Sequence, residues 1–403
     1  MIEMSKKTLC IGGKNDITVN VLKYVLENIS DIELIVIPDR VDDGVDKWQR
    51  SVALFSKNNG IRTATLEEVY DIDGLVFIST EFDRIIKPEK FRNADLYNIH
   101  FSMLPKYKGM FTSVLPILQG MDHTGVTLHV IRPGIDTGEI IEQRKIMIEP
   151  DWNSLDLYRE LIRTGSEVVI SNLKKLLNKD IDPYPQPKIG STYYGTGYID
   201  FKSLVLDTKA TADQIRLQVN AFAFRPYQLL KFNGEDLIGS YITDDVSSDK
   251  PGTVLYEDDI CLKMATIDYD IILYKDVLNE LIEAIRSHDN GKAKALCSYK
   301  KIINDKESHG WTPLTVAVYN NNLEMAKWLY DQGADINVLN NNGTTLLMYA
   351  KNAGLDTGDW SVFRWLMDNG LSAETRDYAG LKIKDYVSQE QLQKIPEDIV
   401  SVL

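Results

Sequence analysis

The residues best suited to chemistry lie in one short stretch and one later loop. The stretch reads Asn98-Ile99-His100-Phe101-Ser102-Met103-Leu104-Pro105-Lys106-Tyr107-Lys108-Gly109, and the loop Gly134-Ile135-Asp136-Thr137-Gly138-Glu139-Ile140-Ile141. Asn98 and His100 are two positions apart at the end of an apolar run that reads as a strand, so their side chains project from one face. An amide donor beside an imidazole, with a carboxylate returning from a later loop, has the parts for acyl transfer. The amide stabilises a developing oxyanion, the imidazole moves a proton, and the carboxylate orients and charges the imidazole. One such residue alone says little, because a lone histidine after a strand usually finds a backbone partner and serves structure.

Groups of this kind need a scaffold that gathers strand ends. Apolar runs at 8–13, 33–38, 74–79, 96–99 and 126–131 read as strands. A helix is predicted over 15–29, with Val19, Val21, Leu22, Val25 and Leu26 as its apolar stripe, and a further one around 66–70. Strands alternating with helices predict an α/β domain built on a mostly parallel sheet covered on both faces, with ligands collecting beyond the carboxyl ends of the strands. Gly12-Gly13 lacks the third glycine and the acidic residue of a dinucleotide fingerprint, so no NAD-type site is expected.

Residues 182–198 are rich in proline (Pro183, Pro185, Pro187) and read as an extended connector. After it, a helix over 211–222 and short strands at 229–242, 252–256, 260–264 and 271–274 predict a small β-rich domain. From about Lys275 the chain turns helical and repeats. His309-Gly310-Trp311-Thr312-Pro313-Leu314 leads to Gly333-Ala334-Asp335, and Gly343-Thr344-Thr345-Leu346-Leu347 follows at a spacing of 33 from Gly310 (343 − 310). This pattern resembles the ankyrin repeat. The second copy lacks the proline and carries an insertion near Gly354 to Asp359; 275–301 reads as a degenerate first repeat and 378–403 as a cap. The expected domains are 1–184, 185–274 and 275–403, the last an all-α module.

Bulk properties exclude several function classes. The chain has 403 residues, with 45 basic against 59 acidic side chains and a net charge of −14. Nucleic acid is held mainly by phosphate neutralisation, so it is not an expected partner. No apolar stretch approaches the roughly 20 residues that cross a bilayer, and the opening residues, mixed in charge, lack the apolar core of a signal peptide. Cys10, Cys261 and Cys297 have no metal-type spacing, and the five histidines include no helical ligand pair. A metal-free protein of the reduced cytoplasm is the expectation.

Taken together, the motifs resemble the catalytic domain of the 10-formyltetrahydrofolate-dependent formyltransferases, whose signature is Asn-x-His, Leu-Pro-x-(aromatic)-x-Gly and Asp-x-Gly-x-Ile. The resemblance covers about residues 7–180, and more loosely 190–275. It implies a Rossmann-like catalytic domain with Asn98, His100 and Asp136 as the catalytic triad and N10-formyltetrahydrofolate as formyl donor. It places the donor near Phe77, Arg84, Ile85 and Ile86, and near the loop that includes Arg132 and Gly134. The alternative for Arg84-Ile85-Ile86 is that it merely caps the sheet. His129 matches a position often histidine in the family and is expected to be a supporting or core residue; His123 is expected in a loop.

Family members formylate methionyl-tRNA, a glycinamide ribonucleotide, UDP-linked aminoarabinose or dTDP-linked amino-dideoxy sugars. Negative charge points away from tRNA, and the segment 110–116 with the Tyr193-Tyr194 connector resembles the sugar-nucleotide enzymes of bacterial surface polysaccharide (O-antigen, lipopolysaccharide) pathways. The implied reaction is formylation of a nucleotide-linked, above all dTDP-linked, 3- or 4-amino-dideoxy sugar. Lys106, Tyr107 and Lys108 lie on the substrate side, the lysines available to a diphosphate. Tyr194, Phe222, Phe224 and Arg225 are candidates to stack on a pyrimidine, each aromatic being equally readable as core. The alternatives are formyl transfer to another small amine, hydrolysis of formyl-folate, and an ankyrin-based binding protein on a formyltransferase-like scaffold. The ankyrin module is expected to serve self-association (a homodimer), partner docking, or a second small ligand stacked on Trp311.

Overall fold

The computed structural model describes residues 7–225 and 227–403. Its contacts divide the chain into two compact units. One holds residues through Val45, Gln49–Leu255 and Lys263–Leu273; the other holds Asp46–Trp48, Tyr256–Leu262 and Tyr274–Leu403. The β-rich segment thus clusters largely with the main sheet.

In chain order the strands are β1 (Lys7–Gly13), β2 (Ile32–Pro38), β3 (Arg62–Thr63), β4 (Asp73–Thr80), β5 (Asn93–His100), β6 (Lys108–Gly109), β7 (His123–Val130), β8 (Ile140–Met147), β9 (Tyr193–Tyr194), β10 (Leu230–Phe232), β11 (Glu235–Ile242), β12 (Val254–Glu257), β13 (Cys261–Met264) and β14 (Ile271–Lys275). The main sheet has the order β3-β2-β1-β4-β5-β7-β8. It is parallel from β3 to β5, with α-helices in the crossovers as far as β4 and only a 3-10 turn, Pro88–Lys90, between β4 and β5, and antiparallel at β5–β7 and β7–β8. The smaller sheet runs β10-β11-β14-β13-β12, and β6 pairs with β9.

Strand alternation sets two packed faces. Cys10, Ile35, Ile37, Leu75, Phe77 and Leu96 share one cluster with Leu66 and Val69 of the helix Leu66–Val69. Ile99 and Phe101 point the other way, where they and Ile17 of the helix Asn15–Asn28 close around Gly165 of the helix Ser154–Asn178. That long helix starts at a capping box, the Asn153 side chain accepting N–H groups and Asp156 answering to the Asn153 backbone. Gly12 and Gly13 are packing glycines: a Cβ on Gly13 would lie 2.2 Å from the Thr80 carbonyl and 2.4 Å from the Thr18 hydroxyl.

The second unit is a helical stack. The helix Pro313–Tyr319 begins with Thr312 capping the Thr315 N–H and proline in the first turn; in the next repeat Thr345 caps Met348 with Leu346 in the proline position. The insertion lengthens the equivalent helix to Leu346–Thr357, and Gly354 lets the Trp360 ring pack directly on it. Buried side chains from Val277 to Ile399 form one continuous core, as stacked repeats require. Among the described residues no helix is long and apolar enough to cross a membrane.

Candidate active site

A cavity of about 820 Å³ lies beyond the carboxyl ends of β1, β4 and β5. Asn98, His100 and Asp136 meet on its wall. Asn98 follows Leu96 by one strand period, so the row that is hydrophobic at Phe77 and Leu96 becomes polar at Ser79 and Asn98 where the sheet ends.

His100 is buried, and its Nε2–H donates to the Tyr107 carbonyl at 2.8 Å. That bond leaves Nδ1 as the basic nitrogen, 3.5 Å from Asp136 Oδ2. Burial pushes the His100 pKa below 6.5, against the opposing pull of Asp136 and the Tyr107 carbonyl, with His129 and Lys108 adding to the downward shift. His100 is therefore a free base at neutral pH. Burial opposes ionisation of Asp136 as well, but the His100 and His129 rings and the Gly109 N–H, which donates to Oδ2 at 2.8 Å, outweigh it. They hold the carboxyl well below the usual range.

His129 faces the same cavity, opposite Asn98 in the β5–β7 register. Its Nδ1–H donates to the Val130 carbonyl at 2.8 Å, so Nε2 accepts from Asn98 Nδ2 at 3.1 Å. One N–H of the Asn98 amide is thereby fixed and the other remains for a ligand oxygen. At the far end Glu81 lines the cavity, with Oε2 accepting from Tyr158 Oη at 2.7 Å and from Asn15 Nδ2 at 3.2 Å. Burial raises its pKa, and its backbone is left-handed at φ +55°.

Of the other residues singled out from the sequence, Arg84, Ile85, Ile86, Arg132, Gly134 and Tyr194 line the cavity. Arg84 lies over the Phe82 ring, 4.6 Å from its centroid, and its buried Nε has no hydrogen-bond partner among the described residues. The structure places several others elsewhere. Phe77 is fully buried in the sheet core against Phe82 and Phe91. Phe222 packs on Phe201, and Phe224 on Tyr158 and Tyr227. Arg225 is half-buried and Lys106 exposed, and neither lies on the cavity wall; nor do Tyr107 and Lys108. The Tyr107 ring is buried, with its hydroxyl donating to Gln119 at 2.8 Å, and its contribution to the site is the backbone carbonyl. Trp311 lies in the second unit, its ring 4.9 Å from both Tyr319 and Tyr349. Glu81 and Lys14 join the wall with no motif to announce them; Phe111 comes to it from the segment 110–116 and residues 195–197 from the connector. No cluster of metal-ligating side chains occurs among the described residues.

An amide, a base and a carboxylate on a folate-sized cavity at the end of a Rossmann-like sheet define a formyl-transfer site, and comparison with known proteins agrees. The formyl transferase family model matches residues 45–173 and the model for ankyrin repeats (3 copies) matches 281–377. The N-formyltransferase from Helicobacter canadensis, solved with folinic acid and dTDP-3-aminofucose, is 39% identical; the match covers 67% of this chain and 99% of that one, with a TM-score of 0.62. WlaRD, a sugar 3N-formyl transferase solved with dTDP and 5-N-formyl-tetrahydrofolate, is 38% identical, with 67% and 98% coverage and a TM-score of 0.62. The methionyl-tRNA formyltransferase of Thermotoga neapolitana is 27% identical over 261 residues, 61% of this chain and 82% of that one. The chain belongs to the sugar N-formyltransferase family and carries ankyrin repeats.

Proposed function

We propose that this enzyme transfers the formyl group of N10-formyltetrahydrofolate to the 3-amino group of a dTDP-linked amino-dideoxy sugar. The observation that carries the reading is the convergence of Asn98, His100 and Asp136 on one cavity in a chain 39% identical to an enzyme solved with that class of ligand. The cavity fits the donor. Phe82, Ile86 and Ile131 give it an apolar wall, Ile85 is 71% exposed at its rim, and Arg84 Nε, 3.9 Å from Asp83 Oδ1 and without a hydrogen-bond partner among the described residues, is a donor for a ligand oxygen. The net charge of −14 supports a small substrate over tRNA.

When bound, the donor supplies an activated formyl carbon. Asn98, held by His129, presents its second N–H where negative charge develops on the formyl oxygen. His100 Nδ1 takes the proton of the attacking amine, Asp136 stabilises the resulting imidazolium, and the imidazolium returns a proton to the donor nitrogen as its bond to the formyl carbon breaks. A role in bacterial surface polysaccharide synthesis, in the cytoplasm, follows from this substrate class, and the three free thiols suit a reducing compartment.

The test is mass spectrometry of dTDP-3-amino and dTDP-4-amino sugars incubated with the enzyme and 10-formyltetrahydrofolate. The 3-amino sugar is expected to gain one formyl group. Formylation of methionyl-tRNA with neither sugar consumed would end this reading. For the ankyrin module the proposed role is protein contact, as self-association or partner docking, with a small-ligand site at Trp311 as the alternative. Trp311→Ala separates them: an unchanged substrate-saturation curve is expected, and an altered curve at constant oligomeric state transfers the module to the ligand role.

A further inference from the structure

The proline-rich connector does more than join two folded parts. Tyr184 exchanges backbone hydrogen bonds with Ile140 at 2.9 and 2.8 Å. Two residues on, Gln186 Nε2 donates to the Asp136 and Gly138 carbonyls, both at 2.8 Å. Further along, the Thr192 hydroxyl accepts the Tyr107 N–H at 2.7 Å, and its carbonyl accepts from Lys108 at 3.0 Å. β9 then pairs with β6, the Met110 N–H reaching the Tyr194 carbonyl at 2.9 Å.

These anchors share a target. Asp136 is the carboxylate facing His100, Tyr107 supplies the carbonyl that holds His100 Nε2, and Gly109 donates to the Asp136 carboxylate. Asp136 and Tyr107 both have left-handed backbones, at φ +52° and +56°. Such conformations are disfavoured for residues with a Cβ and persist where surrounding contacts over-determine them. Gln186 lies between Pro185 and Pro187, and its own backbone is confined to extended geometry by the proline that follows.

We propose that residues 184–194 form a strap that holds the proton-transfer pair in register, with Gln186 positioning Asp136 and Thr192 positioning His100 through Tyr107. The proposal rests on the formyl-transfer reading of the site. Neither side chain touches the reacting atoms; both act through backbone groups whose displacement moves the base relative to its carboxylate. Gln186→Met keeps the length and removes the donor; Thr192→Val keeps the shape and removes the acceptor.

The experiment uses the full chain with 10-formyltetrahydrofolate and a dTDP-3-amino sugar, together with NMR titration of the His100 ring and thermal melting. Each variant is expected to lose about ten- to a hundredfold in kcat, as a displacement near 1 Å does, with KM for both substrates within about twofold. The groups that face His100 are Asp136, His129 and Lys108, and of these it is the Asp136 backbone that Gln186 holds. Loosening Asp136 weakens its upward pull, so the His100 midpoint falls in Gln186→Met. Wild-type kcat in both variants overturns the strap, as does a loss matched by lost folded protein with the midpoint unmoved. A wild-type enzyme that formylates no amino-sugar nucleotide sinks the formyl-transfer reading instead, and the His100 midpoint still decides the strap. If Gln186→Met does not fold, Thr192→Val carries the same kcat-against-KM comparison.

Discussion

His100→Asn and Asp136→Asn each lower kcat by about 10²–10⁴ with little change in either KM, the range for a positioned general base. The two substitutions fail for different reasons. His100→Asn removes the basic nitrogen. Asp136→Asn leaves it in place, but a neutral amide beside Nδ1 no longer stabilises the imidazolium that proton transfer creates. Because the residues act as one unit, the double variant is expected to be no worse than about the weaker single. Asn98→Ala removes the oxyanion donor and lowers kcat by about 10²–10³. The pH profile adds an independent check. The enzyme works with His100 unprotonated, so the rate falls on the acid side as pH drops through a pKa below 6.5. Asp136→Asn removes the charge that pulls this pKa upward and shifts the acid limb to lower pH still; His129 and Lys108 both oppose protonation and remain. Near-normal turnover by both folded single variants would refute the assignment.

What the sequence revealed and what it hid divide along physical lines. Asn98 and His100 were legible because both lie on one strand, where alternation fixes their common face, and Asp136 because it lies in a short motif of its own. Two copies of the ankyrin repeat were legible for a similar reason: Thr312 and Thr345 cap helices locally, and the copy at 343–370 repeats the copy at 310–337. His129 was expected as a supporting or core residue, and it supports Asn98; what the sequence could not show is that it does so across the antiparallel β5–β7 register. Glu81 carries no motif at all; its left-handed backbone and its bonds to Tyr158 and Asn15 arise only in three dimensions. Tyr107 was placed on the substrate side, whereas its carbonyl is what reaches the site, holding His100. The connector reads as a spacer because proline density reports stiffness and says nothing about what a stiff segment touches.

The aromatic candidates divide for one shared reason: a ring is equally suited to a core and to a ligand wall, and burial separates Tyr194 on the cavity wall from Phe77, Phe222 and Phe224, which pack inside. Phe77 gives the sharpest test. It sits one strand period inside Ser79, on the face that leads to the cavity, yet no part of it is exposed, and its ring lies against Phe82 and Phe91. A core role predicts that Phe77→Ala destabilises the first unit by about 3–5 kcal/mol, through lost burial plus an unfilled void, while the remaining folded enzyme keeps its KM for the donor. A ligand-wall role predicts the reverse, a raised donor KM with stability intact. Gly12 sharpens the comparison, since a Cβ there would come 2.8 Å from the Phe77 Cζ. Gly12→Ala alone overpacks the contact and is expected to destabilise by about 1–3 kcal/mol. Combined with Phe77→Leu, which draws the ring's far end away, the pair should cost clearly less than the sum of the two singles. Residues in contact show such coupling, and distant ones add. Urea unfolding of these four variants, read beside the donor saturation curve, decides the matter: strictly additive losses with a shifted donor KM would return Phe77 to the cavity wall.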